Sequence, residues 1–222
     1  MKIGVITYDS CHLKTEQLVL SYQANKEISE INLYALPFKK RPKRKVLFEH
    51  RPNQERGVLS SKLVELNKVN FSVWDGKRLL DDDIDFFVIA GAGILDVGFA
   101  KGKPIVNAHP GIIPMTRGLD SFKWAIYQGD PVGITLHLID QEVDKGEIIK
   151  IVKTPVLSTD TIETLSRRHY ELEIDLMKSI SSLIDERERP SQVEKQAKMR
   201  MPIETEKTML ASFEKWKKHI TH

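Results

Sequence analysis

The amino-acid sequence predicts an α/β fold, in which a mostly parallel central sheet is flanked by helices and followed by a C-terminal helical extension. Short β-branched runs alternate with segments of helical periodicity over the first two thirds of the chain. The run 85–93 is almost continuously apolar and ends in glycines, which is typical of a parallel strand buried on both faces. The length of 222 residues, with 41% hydrophobic and 29% charged residues, suits one globular domain with a short appendage.

The N-terminal half is predicted to contain two further strands and two helices. The strands are the β-branched runs 2–7 and 31–38, the second of which is interrupted by a proline. The pattern after the first strand predicts a helix that Thr15 caps. Leucines at helical spacing in 53–67 predict a second helix with one apolar face.

The C-terminal half continues the alternation. The segments 104–108, 133–140 and 147–156 are predicted strands, and the second of them alternates apolar and polar residues. A helix is predicted over 121–129, with a glycine at its end. Capping residues followed by sustained periodicity predict a long helix within 159–186.

We therefore divide the chain into a catalytic domain over 1–186 and a charged tail with an amphipathic helix over 187–222. The final helix, predicted around 204–219, has an apolar stripe that needs a partner surface. That surface is either a second copy of the chain, which makes the helix a dimerisation element, or the domain itself. The stripe consists of Met209, Phe213 and Trp216.

Composition excludes several classes of protein. A net charge of +3 is too small to indicate a nucleic-acid-binding protein. No apolar run is long enough to cross a membrane, the N-terminus does not resemble a signal peptide, and one cysteine precludes a disulfide framework. These features favour a cytoplasmic protein. The basic run 39–45, followed by His50 and Arg51, is either a solvated loop or a phosphate-binding patch.

The polar residues that end the predicted strands are the best candidates for chemistry. Asn107 and His109 follow one strand, where an amide can donate to an oxyanion and an imidazole can exchange protons. Thr135 and His137 share one face of a later strand, and Asp144 follows just beyond it, where a carboxylate can orient a histidine. An isolated histidine in a turn is more often structural, but the five residues together favour an active site.

Other chemistries fit the sequence less well. The loop after the first strand contains no glycine, which argues against a nicotinamide dehydrogenase. Two histidines and an aspartate imitate a metal site, but the ligand spacings of helical metal motifs are missing. No sequence context marks Cys11 as a nucleophile. Acyl transfer to an external amine, with the protein stabilising the oxyanion, remains.

The sequence VNAHPGIIPMTRG at 106–118, followed by VGITLHLIDQEVDKGEII at 132–149, resembles the folate-dependent formyltransferases. The resemblance implies a Rossmann-like formyltransferase fold, with Asn107, His109 and Asp144 as the catalytic trio. It also implies 10-formyltetrahydrofolate as the co-substrate and no metal.

The same resemblance implies two sets of binding residues. Those expected to hold the folate are Ala92, Gly93, Ile94, Leu95, Ile139, Asp140 and Val143. Those expected to bind the acceptor are Arg117, Trp124, Thr135, His137, His50 and Arg51.

The amine that receives the formyl group is predicted from a shorter stretch. The segment RGLDSFKWAIYQGD at 117–130 is most similar to the enzymes that formylate nucleotide-linked amino sugars for surface polysaccharides such as the O-antigen. Glycinamide ribonucleotide is the alternative acceptor, although the usual glycine-containing phosphate loop is missing. A methionyl-tRNA formyltransferase, a formyltetrahydrofolate hydrolase and a non-catalytic binding protein are further alternatives.

Overall fold

A computed structural model describes residues 1–39, 44–80, 83–139, 146–189 and 195–221, and it confirms the predicted α/β class. The strands are β1 (Lys2–Tyr8), β2 (Glu30–Leu36), β3 (Val69–Val73), β4 (Phe86–Ile89), β5 (Ile105–His109), β6 (Gly133–Leu138) and β7 (Ile148–Lys153). The helices are α1 (Leu13–Ala24), α2 (Ser121–Gln128), α3 (Ile162–Lys178), α4 (Ile180–Leu183) and α5 (Ile203–Thr221).

The strands form one seven-stranded sheet in the order β3-β2-β1-β4-β5-β6-β7. The first five in this order are parallel, whereas β6 is antiparallel to both β5 and β7. The chain builds outwards from β1 to β3 and then returns to the other side of β1. This reversal places the favoured ligand crevice at the carboxyl ends of β1 and β4.

The prediction of a helix over 53–67 is wrong. This segment forms two short 3₁₀ turns, Gln54–Arg56 and Ser60–Glu65, separated at Gly57. An added Cβ at Gly57 would lie 2.3 Å from the backbone nitrogen of Leu13, so the segment bends to pack against the start of α1. Strand β3, which follows this segment at the edge of the sheet, was not predicted. Its alternating pattern spans only five residues, which is too short to stand out in the sequence.

The prediction that Thr15 caps the first helix is also wrong. Helix α1 begins two residues earlier, and the side chain of His12 caps it by accepting from the backbone nitrogen of Thr15. The hydroxyl of Thr15 is fully buried and lies 2.5 Å from that of Thr7 and 2.7 Å from Nδ1 of His12. Tertiary contacts with β1 therefore determine how this helix begins.

The later helices agree better with their predicted positions. The long helix predicted within 159–186 is α3, which Thr161 caps, and the chain continues after Ser179 as the short α4. Helix α5 confirms the predicted final helix and packs against α2. Among the described residues, no helix combines the length and the apolar composition needed to span a bilayer.

The apolar stripe of α5 is covered by the chain itself. Met209, Phe213 and Trp216 are at most 5% exposed, in a cluster with residues of α2 and α3. The indole nitrogen of Trp216 donates to the carbonyl of Asp130 at 2.9 Å. These side chains therefore pack on their own domain, and the stripe no longer provides a reason for dimerisation.

Candidate active site

Strands β5 and β6 bring together four of the predicted site residues. In their antiparallel register Asn107 is opposite His137, and His109 is opposite Thr135. Each of the two histidines is less than 5% exposed, and their rings lie 6.5 Å apart in an edge-to-face arrangement. The alternation seen in the sequence of β6 thus places an imidazole and a hydroxyl beside the end of β5.

The ring of His109 is held in one tautomer. Its Nε2 lies 2.8 Å from the carbonyl oxygen of Thr116, and because a carbonyl only accepts, Nε2 carries the hydrogen. The hydroxyl of Ser121 lies 3.1 Å from the same nitrogen while it donates to the carbonyl of Gly118. The ring nitrogen that can take up and release a proton without breaking these contacts is therefore Nδ1.

The loop after His109 is held by two buried threonines. The hydroxyl of Thr135 donates to the carbonyl of Gly111 at 2.7 Å and accepts from the backbone nitrogen of Ile113 at 3.0 Å. The hydroxyl of Thr116 accepts from the nitrogen of Ile112 at 2.9 Å. Thr135, predicted to bind the acceptor, thus has contacts that shape the loop, and its acceptor contact stays a prediction.

The amide of Asn107 is oriented by His137. Nδ1 of His137 lies 3.0 Å from the carbonyl of Leu138, so this nitrogen carries the hydrogen and Nε2 accepts. The side-chain nitrogen of Asn107 lies 3.3 Å from that Nε2 and donates to it. The second hydrogen of the amide can then serve a developing oxyanion. This contact gives His137 a role in positioning Asn107.

A buried cluster of charges lies at the end of β1. Glu173 on α3 is 1% exposed; its Oε1 accepts from the ammonium of Lys14 at 2.8 Å and its Oε2 from the guanidinium of Arg51 at 2.7 Å. Burial alone would raise the pKa of Glu173, but the two cations and their hydrogen bonds lower it to about 2. Two basic groups therefore share one carboxylate, and burial lowers the pKa of Lys14.

Three histidines around this triad are held neutral. Burial, together with the charges of Lys14 and Arg51, lowers the pKa of His12 to about 4. Burial likewise lowers the pKa of His169 to about 4 and that of His50 to about 3. The histidines thus add no positive charge at neutral pH.

The basic segment after residue 43 is bound to the domain by buried carboxylates. The carboxylate of Glu206 forms a buried ion pair with Lys123 and also accepts from the backbone nitrogens of Leu47 and Phe48. The ring of His50 stacks on that of Phe122, with centroids 5.9 Å apart. Arg51 pairs with Glu173, and the prediction that His50 and Arg51 bind the acceptor stays a prediction. Residues 40–43 lie outside the described part of the chain.

Residues 195–201, which we call the strap, were predicted to be part of a tail and instead cross the loop after β5. The backbone nitrogen of Lys198 donates to the carbonyl of Arg117 at 2.9 Å. The indole nitrogen of Trp124 donates to the carbonyl of Met199 at 2.8 Å, and the ammonium of Lys198 lies 5.5 Å from the centroid of its ring. The predicted acceptor contacts of Arg117 and Trp124 stay predictions.

Several predicted folate contacts lie on a common apolar cluster. The partly buried Ala92, Leu95 and Ile139 all pack against the cluster that contains Phe99. Ile94 is 92% exposed, and an added Cβ at Gly93 would meet nothing within 4 Å, so this turn leaves its surface open. The folate contacts remain predictions.

Part of the predicted site lies outside the described residues: Asp140, Val143 and Asp144. The proposed role of Asp144 therefore stays a prediction. Within the described ranges, no group of three histidine, cysteine, aspartate or glutamate side chains is arranged to hold a metal ion.

Residues 85–180, which contain β5, β6 and all of α3, match the family model described as formyl transferase. This segment is therefore similar to the formyl transferase family. Within it lie Asn107, His109, Thr135 and His137. A curated relative, the phosphoribosylglycinamide formyltransferase of Haemophilus influenzae, is 37% identical over 98 residues, which cover 42% of this chain and 46% of the relative. The alignment thus spans less than half the length of that relative.

Solved structures extend the similarity beyond residues 85–180. A 4-N formyltransferase from Francisella tularensis superposes with a TM-score of 0.63 at 15% identity, over 94% of this chain and 86% of the other. The N-formyltransferase of Helicobacter canadensis, in complex with folinic acid and dTDP-3-aminofucose, gives 0.61 at 18% identity, over 87% and 68%. At these identities, the similarity establishes the fold.

Proposed function

We propose that the protein transfers a formyl group from 10-formyltetrahydrofolate to the primary amine of a nucleotide-linked amino sugar. The observation that carries the proposal is the paired geometry of Asn107 and His109, each oriented by a neighbour, within the segment that is similar to the formyl transferase family. The folinic acid in the Helicobacter canadensis structure supports a folate as the donor. The proposal requires no metal.

The residues of this chain stabilise charge and move a proton. The folate supplies the formyl group. As the neutral amine adds to the formyl carbon, the carbonyl oxygen becomes an oxyanion, and the amide of Asn107 donates to it. When His109 also carries a proton on Nδ1, that N–H donates to the same oxygen, while the N–H at Nε2 keeps donating to the carbonyl of Thr116. Asp144 is proposed to share the Nδ1 hydrogen, which would orient His109, and to assist removal of the amine proton. Collapse of the adduct then releases the folate nitrogen, which takes up a proton.

An anionic acceptor is supported by the charge at the end of β1. Lys14 and Arg51 share the single carboxylate of Glu173, and burial lowers the pKa of Lys14, so an anion nearby would favour the charged form of this lysine. A nucleotide-linked sugar carries such charge on its diphosphate. The dTDP-3-aminofucose bound in the Helicobacter canadensis structure is an acceptor of this class. The N-formylated sugar nucleotide would be used in surface polysaccharide (O-antigen) biosynthesis in the cytoplasm.

Glycinamide ribonucleotide, also called phosphoribosylglycinamide, is a second candidate acceptor. The Haemophilus influenzae relative is named for this substrate and is 37% identical over the aligned residues. This substrate also combines a primary amine with a phosphate. Both acceptors therefore carry an anionic group that could lie near Lys14 and Arg51, and only turnover separates them.

The test is a panel of acceptors incubated with 10-formyltetrahydrofolate, in which release of tetrahydrofolate is followed. Turnover with dTDP- or GDP-linked amino sugars is expected, and turnover with glycinamide ribonucleotide alone would replace the proposed acceptor by the second candidate. Release without any amine would indicate a hydrolase. Replacing Asn107 by alanine should lower kcat by roughly 100- to 1000-fold, as the loss of one oxyanion donor does. Activity near the wild-type level would contradict this mechanism.

A further inference from the structure

The strap is joined to the loop after β5 by backbone hydrogen bonds. Besides the bond from Lys198 to Arg117, the nitrogen of Leu119 donates to the carbonyl of Lys198 at 2.8 Å. The nitrogen of Lys195 donates to the carbonyl of Pro114 at 3.1 Å. The strap thus pairs with residues 117–119 as a short parallel strand would.

Gly118 makes this close approach possible. Its φ is +90°, a conformation that side chains rarely tolerate. An added Cβ would lie 2.2 Å from the carbonyl oxygen of Lys198, so any other residue here would push the strap away. The loop sequence is therefore adapted to the strap.

Asp120 has an unusual conformation that also serves the strap. Its φ is +54°, a left-handed conformation that few residues other than glycine, asparagine and aspartate adopt. It stands at the start of α2, yet its side chain does not cap that helix. Instead the carboxylate, 5% exposed, accepts from the nitrogen of Met201 at 3.0 Å, from Arg44 at 3.3 Å and from Arg200 at 3.4 Å. The residue at the N-cap position of α2 thus connects three segments: the loop after β5, the segment that contains Arg44, and the strap.

The joined loop segment lies between the two groups that orient His109. Thr116 and Ser121 flank residues 117–120, and both contact Nε2 of the imidazole. Ser121 also donates to the carbonyl of Gly118, so a shift of the segment would be passed to its hydroxyl. Any movement of 117–120 therefore changes the hydrogen bonds that fix the ring.

We propose that the strap is a positioning element of the active site: through Asp120 and Gly118 it holds the Thr116 carbonyl and the Ser121 hydroxyl where they orient His109. This inference rests on the proposed function for its kinetic consequence, but its structural consequence does not. Asp120 acts through the loop and touches no reacting atom.

The test compares Asp120→Asn with the wild-type enzyme. The isosteric amide keeps the left-handed backbone accessible, because asparagine tolerates it, but removes the charge that holds both arginines. We expect kcat to fall by about 10- to 100-fold while KM changes less than about threefold, since misplacement of a catalytic group has an effect of this order. Gly118→Ala, which displaces the strap sterically, is the second variant and should act in the same direction.

The matched control is Asp75→Asn. This aspartate also accepts from two backbone nitrogens, those of Lys77 and Arg78, but in a turn after β3. Its replacement should leave kcat unchanged. A value of kcat for Asp120→Asn within twofold of the wild type, or an equal loss in Asp75→Asn, would overturn the proposal.

A second measurement does not depend on turnover. Nitrogen NMR of the His109 ring should report a hydrogen fixed on Nε2 in the wild type and in Asp75→Asn, and a mixture of tautomers in Asp120→Asn and Gly118→Ala. Unchanged ring signals in both loop variants would refute the strap's role. Absence of formyl transfer by the wild type with every acceptor would instead refute the proposed function, and the NMR result would still decide the positioning role.

Discussion

Removal of the charge on Glu173 should destabilise the protein strongly. This carboxylate is almost fully buried and holds Lys14 at 2.8 Å and Arg51 at 2.7 Å. Glu173→Gln keeps the shape of the side chain but leaves two cations facing each other with no carboxylate between them. Breaking a buried ion pair by removing one partner typically costs about 3–5 kcal/mol.

The lowered pKa of Glu173 gives a similar value for this loss of unfolding free energy. Its lowering from the ordinary 4.5 to about 2 corresponds to roughly 3 kcal/mol of preference for the ionised form in the folded state. For a chain of this size, such a loss lowers the melting temperature by about 6–12 °C. Thermal and urea unfolding at pH 7 would measure it.

The pH dependence provides a second check. Because the folded pKa lies below the unfolded one, the stabilisation is complete above pH 4.5 and is lost as the pH falls towards about 2. The difference in unfolding free energy between the wild type and Glu173→Gln should therefore shrink over this range.

Glu171→Gln is the matched control, because its side chain lies on the same helix but is 63% exposed, 3.9 Å from Arg167. Its loss should cost less than about 0.5 kcal/mol. The double variant Lys14→Met with Glu173→Gln should recover part of the stability, since one unbalanced cation is removed. A cost below about 1 kcal/mol for Glu173→Gln at pH 7, or a difference that does not change on acidification, would refute the reasoning.

Three further predictions concern the loop, the final helix and a buried histidine. Thr135→Val leaves the nitrogen of Ile113 without its side-chain acceptor, so urea unfolding should show a loss of about 1–3 kcal/mol; wild-type stability would contradict this. Met209→Ala should cost about 2–5 kcal/mol, because the side chain is fully buried within the chain, and sedimentation should show an unchanged mass. The pKa of His169 is lowered from 6.5 to about 4, so its neutral ring stabilises the fold fully above pH 6.5 and that contribution is lost as the pH falls to about 4. His169→Gln should therefore reduce the slope of stability against pH over this interval by up to about 1.4 kcal/mol per pH unit, and an unchanged slope would exclude this histidine as its source.

Much of the sheet and the core of the candidate site follow from local sequence patterns. The period of two in β6 places Thr135 and His137 on one face, and the strand register then sets them opposite His109 and Asn107. The apolar runs of β1, β4 and β5 predict strands because burial on both faces requires continuous apolar residues. The spacing of the apolar residues along α5 likewise predicts a helix with one buried face.

The segments between these elements depended on contacts that local patterns do not encode. The leucines of 53–67 had helical spacing, but packing of Gly57 against α1 divides the segment into two turns. The strap is charged and lies between Pro190 and Pro202, which is typical of a linker, and its backbone bonds to residues 117–119 make it part of the loop. Such hydrogen bonds use backbone groups that every residue carries, so side-chain types give no sign of them.

The sequence by itself determined the α/β class and the residue types of formyl-transfer chemistry, because periodicity and short motifs express interactions between near neighbours in the chain. Only the tertiary structure decided what Arg51, Trp124 and the final helix contact. Lys14 and Glu173, for example, are 159 residues apart and meet only when the sheet and α3 are assembled. A charge that appears in the sequence as a solvated lysine thus becomes half of a buried ion pair, because the energy of an ion pair depends on distance in space and on burial.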